Sequence, residues 1–346
     1  MEFKTPRLLN FHMPAEWEKQ EAIWLTWPHN EETWPGKVKV VENVYVRFIG
    51  ALHTGQKINL LVKDKAMEQR VKRMLQQANI TLSQILFYHI STVDSWIRDY
   101  GPTFVVNRKE KKLAMVKWVF NAWGNKYDDL KEDNHAPMTL NKSLTLPMFE
   151  PGIVLEGGSI DVNGEGTVLT TEQCLLNKNR NPRLTKRQIE QYLKDFLGCS
   201  KVLWLKEGIV GDDTDGHIDD IARFVSPDTV LCAYEDDPED GNYPMLKENY
   251  DLLQKMTDQY GKKLKIIKLP MPGVVATDRR WPASYANFYI GNSAVVVPIF
   301  GTGYDTKALD IIQKCFPDRK VVGINCRDVV EGFGTLHCLS QQMPSV

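Results

Sequence analysis

The sequence lacks most of the patterns that assign a chain quickly. Its 346 residues hold no Walker A element, no Gly-x-Gly-x-x-Gly after an extended run, no Cys-x-x-Cys, no His-Glu-x-x-His and no Gly-x-Ser-x-Gly. Nucleotide hydrolysis, zinc proteolysis and the serine-hydrolase elbow therefore lose support. Neither sign of charge is in excess: 43 lysines and arginines face 44 aspartates and glutamates, for a net charge of −1. A nucleic-acid partner would require a basic footprint, and this balance excludes one. No stretch approaches the ~18 uninterrupted apolar residues of a membrane span. The start, Met1-Glu2-Phe3-Lys4-Thr5-Pro6, lacks the apolar region of a secretion signal. The expectation is a cytoplasmic protein with no membrane partner. Cysteine is sparse: Cys174, Cys199, Cys232, Cys315, Cys326 and Cys338 are scattered without a pairing pattern and read as free thiols.

What is present is an ordinary globular composition, 42 % hydrophobic and 25 % charged, with no Pro/Gly/Ser linker dividing it. The expectation is one unit over 1–346. Four segments share a plan of extended apolar run, polar turn and second apolar run: 103–106 with 113–116, 159–162 with 167–170, 221–225 with 229–232, and 286–290 with 294–297. Each predicts a β-hairpin. Their turns recur roughly every sixty residues, and amphipathic helices lie between them. The helices are expected from Val38 to His53, around Met67/Val71/Leu75, around Ile189/Leu193/Phe196, around Leu246/Tyr250/Leu253, and around Ala308/Ile312. For the third, Thr185 is placed as N-cap and Gly198 as the stop. Hairpin plus helix, repeated, predicts a closed ring of α/β modules; a two-domain α/β protein with coincidental spacing stays open.

Polar segments gather at the ends of these hairpins, where a ring would aim its loops at one pocket. The segment 94–102 puts Asp94, Trp96, Arg98 and Asp99 before an extended run. Asp99 can grip a cation there, or Arg98 and Asp99 are a solvated pair and Trp96 is core. Glu156 precedes the glycine pair Gly157-Gly158, which admits a ligand close to the backbone, or the segment is a turn with an incidental acid. The richest segment runs Gly211-Asp212-Asp213-Thr214-Asp215-Gly216-His217-Ile218-Asp219-Asp220. Strand alternation would put His217 and Asp219 on one face, a setting for acid/base work. A divalent-metal loop and a solvated acidic loop are the alternatives, although the EF-hand spacing is absent. Near the C-terminus, Cys338 follows Gly332 and Gly334; with a distant histidine it can be a nucleophile, and alone it can be core. On a strand His337 would face away from Cys338 and serve packing or support. One nucleophile, one separate histidine and surplus carboxylates suit attack on a planar cationic carbon, of which guanidinium is the biological example.

The segments Trp96-x-x-Asp99 with Gly101-Pro102-Thr103, Glu156-Gly157-Gly158-Ser159-Ile160-Asp161, Asp212 to Asp219, and Gly334-Thr335-Leu336-His337-Cys338 resemble one family. So do Met13-Pro14-Ala15-Glu16-Trp17-Glu18 and Trp24-Leu25-Thr26-Trp27-Pro28. It is the agmatine deiminase and bacterial-type peptidylarginine deiminase family, within the guanidine-modifying pentein superfamily. The resemblance implies a five-bladed α/β propeller with pseudo-fivefold symmetry. It implies a hydrolase converting agmatine to N-carbamoylputrescine and ammonia through an amidino-cysteine, in the service of putrescine synthesis. Peptidylarginine deimination and a non-catalytic guanidine-binding module are the alternatives. By the same resemblance Cys338 is the nucleophile, His217 the acid and base, and Glu156 the group that orients His217. Asp99 and Asp219 hold the guanidinium, with Trp96 and Asp213 against the substrate. The resemblance implies a small-molecule guanidine as partner and neither cofactor nor metal, and is compatible with a homodimer. One departure stands out: agmatine deiminases usually carry Gly-Gly-Gly-Asn-Ile-His-Cys where this chain has Gly332-Phe333-Gly334-Thr335-Leu336-His337-Cys338. Phe333 is therefore expected to reshape the pocket for the substrate tail.

Overall fold

The computed structural model describes residues 4–275 and 279–346. The strands form five small sheets. Four repeat one plan, in which two antiparallel strands are followed by a helical segment and a third strand parallel to the second. In the first, Thr103–Asn107 pairs with Lys112–Val116, which takes Met148–Phe149. In the next, Asp161–Val162 pairs with Thr167–Thr171, which takes Lys201–Leu205. Ala222–Ser226, Thr229–Tyr234 and Lys265–Pro270 make the third. Tyr289–Ile290, Ala294–Ile299 and Lys320–Asn325 make the fourth. A parallel return needs a crossover of a dozen or so residues, which is what the intervening helices supply.

The fifth sheet is built from both ends of the chain. Gln20–Thr26 pairs antiparallel with Ser340–Pro344 and parallel with Lys57–Val62, and Ile85–His89 adds a fourth strand. Ser340–Pro344 also packs on Thr103–Asn107 of the following sheet. On the other side, the helix Val38–Leu52 packs against Ala294–Ile299 and Lys320–Asn325 of the preceding one. The modules therefore close into a ring.

The four expected hairpins are present, but two are shorter than the apolar runs suggested. Ser159 belongs to the 3-10 turn Gly157–Ser159, and residues 286–288 leave the ladder before Tyr289. In both places the chain stops pairing because it turns inward toward the centre of the ring. The returning parallel strands were not anticipated. Lys265–Pro270, for example, is exposed or half-buried over its first four residues and lies at a sheet edge, so it lacks the apolar signature of a central strand.

The helices Val38–Leu52, Lys65–Gln77, Lys186–Leu197, Tyr243–Leu253 and Asp305–Cys315 fall where the periodicity put them. Lys186–Leu197 shows why. Thr185 and Gln188 form a reciprocal capping box, and Ile189, Leu193, Phe196 and Leu197 are buried along one face. Burying those four side chains contributes on the order of 2 kcal/mol each. Gly198 ends the helix at φ +68, where a Cβ would stand 2.4 Å from the Phe11 carbonyl oxygen. All six cysteines are unpaired. Among the described residues, no helix is long and apolar enough to cross a membrane.

Candidate active site

Each module delivers its polar side chain from the same place, the short stretch just ahead of its first strand. Asp99 lies in the single helical turn Ile97–Tyr100, before Thr103–Asn107. Glu156 precedes the turn Gly157–Ser159. His217 precedes the 3-10 turn Ile218–Asp220, which carries Asp219 and Asp220. Asn287 comes just before Tyr289–Ile290, and Cys338 just before Ser340–Pro344. Closing the ring brings these five stretches together at its centre, where all these residues are buried.

Cys338 sits beside a cavity of about 410 Å³ whose wall includes Trp96, Asp99, Trp123, Asp213 and Phe333. Its Sγ receives a hydrogen bond from Asn287 Nδ2 at 3.0 Å and lies 3.6 Å from Asp219 Oδ2. Burial and the carboxylates of Asp219, Asp220 and Asp99 push the thiol well above its ordinary pKa, and the Asn287 amide opposes them. Asp219 accepts from His337 Nδ1 through Oδ2 at 2.7 Å, while its buried Oδ1 has no hydrogen-bond partner. Asp99 accepts from Gly158 N at 3.0 Å and from Trp123 Nε1 at 2.9 Å. Burial, reinforced by Asp219, raises the Asp99 carboxyl to about 6 against the opposing pull of His217.

His217 Nδ1 is 3.7 Å from Asp99 Oδ1, and neither ring nitrogen has a hydrogen-bond partner. Burial disfavours its charged form, but Asp99, the neighbouring Cys174 and Glu156 together raise its pKa well above the ordinary value. His217 and Asp219 do belong to one site, although not through strand alternation: the chain between them is a 3-10 turn, so both project from the turn into the centre. Glu156 stands beside His217 without a hydrogen bond to it. Its Oε1 accepts from Arg180 Nε at 2.7 Å, and its buried Oε2 is unpartnered. Gly158 has to be small, because a Cβ there would meet His217 Nδ1 at 2.6 Å, Asp99 Oδ1 at 2.9 Å and Asp219 Oδ2 at 3.1 Å. The space beside Gly158 is thus closed off by His217, Asp99 and Asp219.

The remaining candidates occupy the wall. The Trp96 ring lies 5.3 Å from that of Trp34, and its indole N–H donates to Asp94 Oδ2 at 3.0 Å. Asp213, half-buried, accepts from the Tyr127 hydroxyl at 2.6 Å and has Lys126 Nζ 3.5 Å away. Arg98 and Asp99 are not a solvated pair. Both are buried, and Arg98 turns away to donate to Gln341, Gln342 and the His337 carbonyl. The acidic loop is likewise not merely solvated: Asp212 accepts from Thr214 N and Gly216 N, folding it into a turn that presents His217.

Three participants were missed by sequence reasoning. Asn287 lies in an apolar run taken for strand, its only signal being an amide amid apolar neighbours. Cys174 reads in the sequence only as a free thiol; it is buried, and its sulfur, a Glu156 oxygen and a His217 nitrogen lie within 4.8 Å of one another. Asp220 similarly groups with Asp219 and Cys338. Among the described residues, these two trios are the sets that could hold a small cation. His337 supports the site as expected, but by a different route from strand alternation. Its two ring nitrogens are 2.7 and 2.8 Å from Asp219 Oδ2 and Glu16 Oε2, so it bridges two carboxylates.

Comparison with known proteins covers nearly the whole chain. The model of the Porphyromonas-type peptidyl-arginine deiminase family matches residues 12–344. An agmatine deiminase of Medicago truncatula is 38 % identical over 99 % of this chain and 98 % of its own. Among solved structures, an agmatine deiminase of Enterococcus faecalis superimposes with a TM-score of 0.91 at 36 % identity, covering 100 % of this chain and 99 % of that one. A substrate-bound variant of the C. jejuni agmatine deiminase gives 0.88 at 32 % identity, over 97 % and 96 %. An amidinotransferase from Microseira wollei, at 10 % identity and a TM-score of 0.55, shares the fold alone. The architecture is therefore the pentein fold, and the chain belongs to the Porphyromonas-type peptidyl-arginine deiminase family, with agmatine deiminases among its full-length relatives.

Proposed function

We propose that this chain is an agmatine deiminase, hydrolysing agmatine to N-carbamoylputrescine and ammonia. The observation that carries this reading is the charge of the cavity beside Cys338. Glu32, Asp94, Asp99, Asp129, Asp213 and Glu331 line it, against Arg279 as the one basic side chain among the described residues. Such a wall favours a ligand cationic at both ends, a guanidinium inside and an ammonium toward the mouth, and disfavours the α-carboxylate of free arginine. Buried Asp99 and Asp219 serve the guanidinium, and half-buried Asp213 lies farther out for the amine.

The chemistry follows from the surroundings of the nucleophile. In the free enzyme the carboxylates hold Cys338 as a thiol. A guanidinium between Asp99 and Asp219 compensates those charges and sets a positive charge beside sulfur, so the thiol gives its proton to solvent and the thiolate forms; the thiolate takes a proton back when the product has left. Sulfur attacks the guanidinium carbon, giving a neutral tetrahedral adduct. The imidazolium of His217 protonates one amino group, which departs as ammonia and leaves an amidino-cysteine. Neutral His217 then takes a proton from water as the hydroxide adds to the same carbon. Collapse breaks the C–S bond, restores thiolate and imidazolium, and yields the ureido product; the proton released leaves with ammonia as ammonium. Side chains, substrate and water supply every proton and charge in this sequence, so full turnover in excess chelator is the expected outcome.

The test is release of ammonia and ureido product from agmatine, free arginine and a blocked arginyl peptide, with wild type beside Cys338→Ala. Agmatine turnover that vanishes in the variant supports the proposal. Preference for the peptide would move the enzyme to protein modification, and binding without turnover in wild type would make it a guanidine-binding module.

A further inference from the structure

Phe333 lines the cavity and has no part in the deimination chemistry. It follows the turn Val330–Gly332 with φ 70 and ψ 13, a left-handed conformation that glycine adopts freely and a bulky side chain adopts at a cost. Strain of this kind persists where the surroundings over-determine it, and it concentrates at functional sites. Here the surroundings are specific. The Phe333 ring packs edge-on to Trp281, with centroids 5.4 Å apart at 71°. The Arg279 guanidinium lies over both, 5.1 Å from the Trp281 ring and 5.5 Å from that of Phe333. All three residues line the cavity that Cys338 lines.

The order of exposure locates the ring. Cys338 and Gly334 are buried, Phe333 and Trp281 are half-buried, and Arg279 is exposed. Gly334 fixes the inner end, since a Cβ on it would stand 3.1 Å from Cys338 Sγ and 2.7 Å from the Trp96 ring. Phe333 therefore stands one step outward from the nucleophile, where the chain attached to a bound guanidinium has to pass. Half-buried Asp213 and Glu331 and exposed Glu32 and Asp129 share that outer wall.

We infer that Phe333 is a specificity-determining residue. Clamped by Trp281 and Arg279, its ring narrows the outer cavity to a slot for an unbranched aliphatic guanidine ending in a cation, and excludes a guanidine carried on a peptide backbone. The inference rests on the deiminase reading and names the selectivity of that same site. Methylenes of the tail lie against the ring, the terminal cation meets the outer carboxylates, and a backbone branching from the tail collides with the clamp.

The experiment uses Phe333→Gly and Phe333→Asn, both of which suit the left-handed backbone. Neither variant strains the backbone at this position, and melting curves recorded beside the kinetics separate a loss of fold from a loss of contact. The KM for agmatine should rise about tenfold with kcat little changed, the mark of a lost tail contact. The ratio of kcat/KM for a blocked arginyl peptide to that for agmatine should rise at least tenfold. A ratio within twofold of wild type in both variants overturns the inference, as does a lower melting temperature with unchanged kinetics. Failure of the deiminase reading looks different, because wild type would then release ammonia from neither substrate. Calorimetric titration of agmatine into Cys338→Ala, with and without Phe333→Gly, would then decide the role of the ring. About tenfold weaker binding supports it, and equal binding overturns it.

Discussion

Asn287 holds Cys338 at both ends: its Nδ2 donates to Sγ at 3.0 Å, while its Oδ1 accepts from the His337 and Cys338 backbone N–H groups and from the Thr335 hydroxyl. The amide both fixes the Cys338 loop and provides a polar contact that lowers the thiol pKa against burial and three carboxylates. Asn287→Asp keeps an acceptor for the loop and replaces the donor facing sulfur with a fourth negative charge. It should fold and lose at least tenfold in kcat/KM, a loss of about 1.4 kcal/mol in transition-state binding. Wild-type kinetics in this variant would remove Asn287 from the site.

The same electrostatics make the free thiol unreactive at neutral pH. Because burial and the Asp219, Asp220 and Asp99 carboxylates raise the Cys338 pKa, the neutral thiol is the resting form until the medium is strongly alkaline. Iodoacetamide labelling of Cys338, followed by mass spectrometry, should still be climbing with pH through pH 9. A non-reacting guanidinium compound that compensates the carboxylates should move the rise to lower pH. A labelling plateau below pH 8 in the free enzyme would contradict the assignment.

Asp99 gives a stability prediction whose sign is opposite to its effect on activity. Its carboxyl is raised to about 6 in the fold from an ordinary 3.8, burial being the main cause. A raised folded pKa means that its contribution is fully present below pH 3.8 and is lost as pH rises through 6. At pH 8 the buried charge therefore costs stability. Asp99→Asn should melt higher than wild type at pH 8, by an amount on the order of 2 kcal/mol, and the difference should shrink toward pH 4. Turnover should fall by orders of magnitude at every pH. A lower melting temperature at pH 8 would show that the bonds from Gly158 and Trp123 outweigh the desolvation.

His337 is placed to hold apart two negative groups from distant parts of the chain. Glu16, which it contacts at 2.8 Å, is also 3.1 Å from Arg223 and 3.5 Å from Arg98, and all are buried. Burial opposes the Glu16 charge, but Arg223 and His337 outweigh it and lower its pKa. Removing the imidazole takes a hydrogen-bond partner from each of two buried carboxylates, Asp219 and Glu16. His337→Ala should lose about 3 kcal/mol, the cost typical of breaking a buried pair, seen as a melting temperature lower by roughly 10 °C. A shift within 2 °C would show that the arginines alone stabilise the cluster.

How far the sequence could be read depended on range. The helix Lys186–Leu197 was legible because its cap, apolar face and stop are all local. The hairpin of Gln20–Thr26 with Ser340–Pro344 was not, because no turn joins two strands at opposite ends of the chain. At the site, Asp99, Glu156, His217 and Cys338 were visible as polar breaks ahead of extended runs. Asn287 occupies the equivalent place in its module, but its apolar neighbours concealed it. The contacts of Arg98, Arg223 and Glu16 were beyond reach for the same reason as the fifth hairpin, since they form only when the ring closes.

Gly158 tests the site at its tightest point. A side chain as small as alanine would put its Cβ 2.6 Å from His217 Nδ1 and 2.9 Å from Asp99 Oδ1. Neither group can retreat easily, because both are buried and Asp99 is fixed by the indole of Trp123. The backbone itself tolerates the change, as Gly158 is not among the glycines with positive φ. Gly158→Ala should therefore fold and keep the cavity mouth, while its methyl group occupies space between the groups proposed to handle the guanidinium. The expected result is a fall of at least a hundredfold in kcat/KM for agmatine, because small displacements of reacting groups carry penalties of that size. A parallel measurement of Cys338 labelling should change far less, since the three atoms nearest that Cβ belong to His217, Asp99 and Asp219. Turnover within fivefold of wild type would mean that the guanidinium binds elsewhere, and would remove Asp99 and His217 from contact with it.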